Sequence, residues 1–557
     1  MGASRESASA TALLLLSFLV INAALSTYVW APVGAPALML VPLPETLILF
    51  WILVLLAPRA HSSRLARMTL WVTGAVLGIL VGFALAESFF RFYYARPFLP
   101  RSDIGMIRGA LLLFLEDRTR FVDILTPLTI ASVFLVLCGL GIGIVLALSR
   151  LARAARKMLP ALASLSAVAL PIMLGVGLPA SLFGFTVSSW TRSDRIEFQS
   201  IEVDGVEAAP RARDVPEYAL PGLLDRDIYF FAVEGYGYAT VARPEISELI
   251  EPYRERFYEA LRGRGYEVRS SYLISPVAGG YSWLAEATIL TGQWIDSQER
   301  FLQLYDADIA ALPRMLYDAG YHTITFRPGT VHGSWPEAWD LYGFREAMVA
   351  HDGDFDFVGP WFSYVPITDQ FALWAGHNRL EAITSSGGVA EQKPMLAWWQ
   401  LVSSHTPFNR IPPVIEDWQA LGNGQIYNER VGEIETFDNT WTGGTELVEG
   451  YVAAIGYVFE VLTKYVEELL DTSRNPIIVV FGDHQPQRPI RSPNAHLSVP
   501  IHVASRDQAI IDQFARRGYT PGMVGTAPPP HPGMDIFFPM LVELARAPAE
   551  AAREIAD

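Results

Sequence analysis

A chain of 557 residues with a single cysteine, Cys138, can build neither an intrachain disulfide framework nor a cysteine metal site. The length exceeds one ordinary domain, and 51% hydrophobic content with a mean hydropathy of +0.25 points to two regions in different solvents. Residues 1–190 carry 14 Lys and Arg against 7 Asp and Glu, and the remainder 28 against 51; so acidic a remainder argues against nucleic-acid binding, which needs clustered cations on phosphates.

Five apolar runs, near 9–29, 36–57, 68–88, 125–149 and 159–185, have about the 20 residues that span a bilayer. The first also reads as a signal peptide, with Arg5 before an apolar core and small residues around Ala23 and Ala24. Arg59, Arg64 and Arg67 lie between runs two and three, and Arg150, Arg153, Arg156 and Lys157 between runs four and five, with no acidic residue in either loop. Both loops are therefore expected in the cytoplasm. The uncharged loop 27–36 is expected outside, and five spans place everything beyond 185 outside as well. Between runs three and four, 104–118 reads either as an interfacial amphipathic helix or as an ordinary buried loop helix. Only Glu45 and Glu87 lie in or near the spans, which disfavours a transporter. The expected organisation is a membrane domain at 1–190, a polar, proline-bearing linker at 191–222 and an extracytoplasmic domain at 223–557.

Beyond the linker, strand-like runs at 227–233, 266–273, 321–326, 395–402, 476–481 and 498–503 alternate with helix-like runs at 244–262, 282–291, 307–319, 369–384, 446–470 and 533–546. This alternation predicts an α/β domain with a largely parallel sheet. In such sheets functional groups gather at the carboxyl ends of strands. The run 228–233 ends in Glu234-Gly235, the run 476–481 in Gly482-Asp483-His484, and the run 395–402 in Ser403-Ser404-His405-Thr406-Pro407-Phe408. After the run 266–273 comes Gly279-Gly280-Tyr281-Ser282-Trp283-Leu284-Ala285-Glu286. Glycines at a strand-to-helix turn bend the chain sharply and expose a following hydroxyl. Ser282 is thus a candidate nucleophile, or simply a helix N-cap, as serine often is. Carboxylates and an imidazole beside a hydroxyl suit Mn²⁺, Mg²⁺ or Zn²⁺, and the set required is Glu234, Ser282, Asp483 and His484.

Taken together and in this order, behind five apolar runs, these segments resemble the lipoteichoic acid synthase and membrane phosphoglycerol transferase family of the alkaline phosphatase and sulfatase-like superfamily. The resemblance implies five transmembrane helices and an outward-facing sulfatase-like α/β domain at a bacterial cytoplasmic membrane. It implies Ser282 as nucleophile, Glu234, Ser282, Asp483 and His484 around a divalent cation, above all Mn²⁺, and His405 binding the head group or moving a proton. Trp335 matches a substrate-pocket Trp, but Glu337 stands where the family has an Arg. Arg327 or His332 could supply the missing donor, or both could be ordinary loop residues. The implied partners are an anionic phospholipid donor such as phosphatidylglycerol and a glycan or glycolipid acceptor. A phosphodiesterase or phosphatase using water, and a non-catalytic lipid-binding sensor, are the alternatives. Sulfatase chemistry needs a Cys or Ser in a Cys/Ser-x-Pro-x-Arg motif, which Ser275-Pro276 does not provide.

Overall fold

The computed structural model describes residues 2–30, 44–60, 62–94, 98–104, 119–154, 202–203, 206–207, 226–307, 309, 311–331, 333, 335–362, 364–386, 393–440, 443–491, 496–527 and 529–542. The chain divides into two compact units, Met1–Ile196 and Glu197–Asp557.

The first unit is built from α1 (Gly2–Trp30), α2 (Pro44–Leu56), α3 (Arg64–Tyr93) and α4 (Thr119–Ala154). Ser63 starts α3, its hydroxyl accepting from the amide of Ala66 at 3.2 Å. Two stretches among the described residues are long and apolar enough to cross a membrane, Arg64–Phe92 and Leu125–Ala154. Trp71, Val72, Leu135 and Leu140 on them are exposed. The two helices touch along glycines. A Cβ on Gly78 would lie 1.9 Å from the Leu137 carbonyl oxygen, and one on Gly141 would lie 2.0 Å from that of Gly74. Only hydrogen fits there, the way small residues let membrane helices approach. The expected runs 9–29, 68–88 and 125–149 fall within α1, α3 and α4. Of the run 36–57, the described residues begin at 44 and are helical over Pro44–Leu56. The fifth run, 159–185, lies outside the described residues, as does all of the 104–118 segment after 104.

The second unit carries an eight-stranded sheet. Its strands are β1 (Ile228–Val233), β2 (Glu267–Ile274), β3 (His322–Arg327), β4 (Glu346–Val349), β5 (Met395–Leu401), β6 (Ile477–Gly482), β7 (Ser498–Ser505) and β8 (Thr520–Pro521). The spatial order is β8-β2-β7-β6-β1-β5-β3-β4. Strands β6, β1, β5, β3 and β4 are parallel, while β7 is antiparallel to both β6 and β2. The main helices are α5 (Pro244–Gly263), α6 (Ser282–Thr291), α7 (Leu312–Asp318), α8 (Pro336–Tyr342), α9 (Asp369–Ser386), α10 (Leu447–Glu468) and α11 (Gln508–Arg516).

Every residue of β1 is buried, because both faces of a central parallel strand are covered. Phe231 stacks on Trp399 (5.0 Å, 21°) and meets Tyr465 of α10, while Phe230 stacks on Trp398 (5.0 Å, 25°) and meets Phe537. These cross-strand aromatic pairs lock the register of β1 against β5. The expected helix at 307–319 begins only at Leu312, where Pro313 suits a first turn and no earlier position. The expected helix at 533–546 opens as a 3-10 turn, Met534–Ile536, and is helical to 542, the end of the described stretch. The short edge strands β4 and β8 and helix α11 are absent from the sequence reading, although α11 is amphipathic and buries Ile511 and Phe514.

Candidate active site

The strand order makes β6, β1 and β5 neighbours, so the loops leaving their carboxyl ends meet. Glu234 follows β1, Asp483 and His484 follow β6, and Ser403 to His405 follow β5. Backbone bonds tie the loops together. Glu234 N donates to Leu401 O at 3.0 Å, and Asp483 N to Val233 O at 3.3 Å. Ser404 Oγ donates to Glu234 O at 2.7 Å, and Tyr451 OH to Gly235 O at 2.8 Å. A Cβ on Gly482 would sit 1.8 Å from Tyr236 O, so only glycine lets β6 and the β1 loop close up.

Ser282 arrives from farther away. Strand β2 is separated from β6 by β7, and the loop after β2 bridges the gap. Gly279 N donates to Gln485 O at 2.8 Å, and Ser275 Oγ donates to Asp483 O at 2.7 Å. Gly279 (φ 70°), Gly280 (φ 135°) and Tyr281 (φ 69°) then turn the chain sharply. Left-handed conformation is open to glycine but strained for Tyr281, and such strain is held only where the surroundings over-determine it. The N-cap position of α6 is Tyr281, without a side-chain capping bond; Ser282 is the first helical residue. The N-cap reading of Ser282 therefore fails, and its hydroxyl goes to the loops of β1 and β6.

Ser282 Oγ donates to Glu234 Oε2 at 2.7 Å and lies 3.3 Å from His484 Nε2. His484 Nε2 is 3.0 Å from Glu234 Oε1 and 3.6 Å from Asp483 Oδ2. Asp483 Oδ1 accepts from Gly235 N at 2.8 Å and His484 N at 2.6 Å, leaving Oδ2 for the cluster. His484 Nδ1 lies 2.9 Å from Gln485 O. A carbonyl only accepts, so Nδ1 carries a hydrogen, and Nε2, facing the two carboxylates, is the atom a cation would take once its proton leaves. One ligand atom each from Glu234, Asp483 and His484, all buried, lies within 4.8 Å of the others.

These groups shift one another's protons. Burial would raise the Glu234 carboxyl, but the facing imidazoles of His484 and His405 outweigh it and hold Glu234 well below the usual range. Burial, with the Glu234 charge adding, pushes Asp483 up to about 8. Burial would lower His484, yet the Asp483 and Glu234 carboxylates push it up to about 9. Two buried carboxylates sharing one imidazole are electrostatically unbalanced. A divalent cation would balance them, and oxygen and imidazole donors with oriented partners are what such a cation takes. The residues present fit a metal held by Glu234, Asp483 and His484, with Ser282 Oγ beside it.

His405 lies half-buried, its ring stacked on Tyr364 at 4.1 Å and 26°. Its Nδ1 lies 2.7 Å from Thr406 O and donates to it. Trp335 is half-buried at the start of α8, in the left-handed region (φ 51°), between Trp283, Phe301 and Trp339. Arg327, at the end of β3, is 2% exposed. It pairs with Glu286 at 2.5 Å, donates to Thr325 Oγ1 at 2.7 Å and lies over the ring of Trp339 at 4.5 Å. Nη1 is given to Glu286 and the group is shielded from solvent, while Nη2 is buried with no hydrogen-bond partner among the described residues. His332 lies outside the described residues. Glu337 is exposed in the first turn of α8.

Two residues near the site escaped sequence reasoning. Trp283, beside the nucleophile, packs edge-on to Trp335 (6.5 Å) and donates from Nε1 to Gln298 Oε1 at 2.8 Å. Asp369 reaches the Ser403 turn from the start of α9. An Asp at a helix start reads as an ordinary cap, so no local signal separates it from the many that are.

Residues 269–497 match the Sulfatase family model. No curated protein sequence matches the chain. Among solved structures the chain is similar to the lipoteichoic acid synthase LtaP from Listeria monocytogenes, at 15% identity over 53% of this chain and 71% of that one, with a TM-score of 0.35. It is also similar to the Streptococcus pyogenes phosphoglycerol transferase GacH in complex with sn-glycerol-1-phosphate, at 11% identity over 60% and 89%, TM-score 0.35. A third is the C-terminal periplasmic domain of EptC from Escherichia coli, at 14% identity over 51% and 73%, TM-score 0.31.

Proposed function

We propose that this protein, whose α/β unit carries a sulfatase-family domain, is a membrane-anchored phosphotransferase of the phosphoglycerol type. The observation that carries the reading is the Ser282 hydroxyl at 2.7 Å from Glu234 and 3.3 Å from His484 in a buried two-carboxylate cluster. A nucleophile needs a hydroxyl held for deprotonation, and the hydrogen bond to Glu234 Oε2 holds Ser282 Oγ. The Glu234 carboxyl, kept well below the usual range, is too weak a base to keep the proton, which passes to water.

In the first displacement Ser282 Oγ forms a bond to phosphorus of an anionic phospholipid such as phosphatidylglycerol. The bond from phosphorus to the diacylglycerol oxygen breaks, and that oxygen takes a proton from His405 or water. In the second, an acceptor hydroxyl on a glycan or glycolipid attacks the same phosphorus. The Oγ–P bond breaks, Oγ takes back a proton from water, and the acceptor's proton goes to His405. A divalent cation held by Glu234, Asp483 and His484, Mn²⁺ in our reading with Mg²⁺ or Zn²⁺ as substitutes, lowers the hydroxyl's pKa and offsets phosphoryl charge when bound. Trp335 would flank the head group, with His332 as the candidate donor on its loop. Arg327 serves in our reading to hold Glu286, not to touch substrate.

The membrane arrangement belongs to the same proposal: five spans within 1–190, an interfacial helix near 104–118, a linker at 191–222 and a catalytic domain at 223–557 outside the cytoplasm. It rests on the arginine-rich loops, which favour the cytoplasmic side. Mass spectrometry after incubation with phosphatidylglycerol and metal should find a Ser282 adduct of roughly 154 Da, a phosphoglyceryl group. Turnover retained by Ser282→Ala would sink the covalent reading. Release of free glycerol phosphate whatever glycan is supplied would convert the transferase into a phosphodiesterase.

A further inference from the structure

The turn that carries His405 is not held by its own strand alone. Asp369, fully buried as the first residue of α9, faces it from across the chain. Asp369 Oδ1 accepts from Val402 N at 2.7 Å and from Ser403 N at 3.1 Å, and Oδ2 accepts from Ser403 N at 3.1 Å. The clasp is reciprocal, since Asp369 N donates to Ser403 Oγ at 2.9 Å. His405 N then donates to Val402 O at 3.0 Å and closes the turn. The loop entering α9 also supplies Tyr364, on which the His405 ring lies at 4.1 Å. One segment, 364–369, therefore grips both the backbone and the ring of His405. On the other side, Ser404 Oγ bonds the backbone of Glu234. The turn is clamped between α9 and the candidate metal centre, with His405 at its tip.

We infer that Asp369 is a positioning residue for His405: its carboxyl fixes the 402–405 turn and thereby the place from which the imidazole exchanges protons with the leaving and attacking oxygens. The physical argument is geometric. Two strand-end amides, buried and aimed at a single carboxylate, have no alternative partner if the carboxylate is removed, so the turn must shift to resatisfy them. A shift of about 1 Å at a proton-transfer group is enough to cost about a hundredfold in rate. Asp369 sits neither on the nucleophile nor on a ligand atom, so the effect should appear in turnover and not in metal binding.

The inference rests on the role proposed for His405, and the test separates the two. Full-length protein in lipid nanodiscs is assayed with bis(p-nitrophenyl) phosphate and Mn²⁺, as wild type, Asp369→Asn, His405→Ala and the double variant. Asparagine can serve one amide, but its own NH₂ confronts the other. The expected result is a loss of about 10- to 100-fold in kcat for Asp369→Asn, with KM and bound metal unchanged, and less than about twofold further loss in the His405→Ala background. An equal loss in both backgrounds, or metal lost from Asp369→Asn, overturns the inference. Should Asp369→Asn fail to fold, Ser403→Ala removes one bond of the clasp and should show the same dependence on His405 at smaller amplitude. A wild type that hydrolyses no diester defeats the proposed function instead. The clasp is then read from the rate of His405 carbethoxylation by diethyl pyrocarbonate: a rise in Asp369→Asn, with exposed His351 unchanged, supports it, and an unchanged His405 rate refutes it.

Discussion

The two ends of the same strands treat buried carboxylates in opposite ways. At the amino end of β1, Asp227 pairs with Arg474 at 2.9 Å and accepts from Met395 N at 2.8 Å and Tyr229 OH at 3.2 Å. Both oxygens have fixed protein partners, although burial still raises its pKa. At the carboxyl end, Glu234 and Asp483 share one imidazole, and burial, with the Glu234 charge adding, pushes Asp483 up to about 8. A one-to-one ion pair such as Asp227–Arg474 or Glu286–Arg327 closes the fold. Two carboxylates on one imidazole leave room for a cation, and for chemistry.

That contrast can be broken most severely at the nucleophile. Ser282→Ala should lower phosphoryl transfer by at least about a thousandfold, read from diester turnover and from loss of the covalent adduct. Next comes a reciprocal pair. Asp483→Asn should weaken Mn²⁺ binding by more than the roughly hundredfold commanded by a ligand's hydrogen-bond partners, measured by calorimetry. It should also leave metal-free stability equal or higher, because folding no longer has to bury and protonate that carboxyl. Asp227→Asn should do the reverse, keeping metal affinity while losing about 1–3 kcal/mol in denaturant unfolding. If both variants lose stability and neither loses metal, the distinction between the two ends is wrong.

Of comparable size in stability is Arg327→Met, which leaves Glu286 buried without its partner and should cost about 3–5 kcal/mol. Near-native stability combined with a raised KM would instead return Arg327 to the substrate. The smallest effect concerns pH. Burial, with Glu234's charge adding, pushes the Asp369 carboxyl up to about 7, against about 3.9 in an unfolded chain. Between these values the folded state holds a proton that the unfolded state has released, so this group's contribution to stability falls as pH rises from about 4 to about 7 and is flat above. Asp369→Asn should remove that slope from a series of urea midpoints; identical slopes in the two proteins would contradict it.

The α/β domain and its candidate metal centre were legible because their signals are local. Each ligand directly follows a continuous apolar strand, and Ser282 follows two glycines, so strand ends and turn could be read without a partner in view. The clustering needed one further step, that parallel strands put their carboxyl ends on one edge. The order β2-β7-β6-β1-β5 was not legible, since an antiparallel β7 between β2 and β6 leaves no mark in either segment. Nor was the mutual packing of Gly74, Gly78 and Gly141, which depends on which helix faces which.

Sequence by itself determined which residue types stand at the strand ends and which side of a membrane the arginine-rich loops favour, because periodicity and charge act over a few neighbours. Tertiary structure alone decided what each charge faces. It turned Arg327 from a candidate donor into the partner of Glu286, 41 residues away, and Ser282 from a candidate cap into the first residue of α6. It also brought Asp369 to a turn 33 residues distant. The physical reason is that a charge's role depends on its partner and its burial, and neither is encoded within one turn of chain.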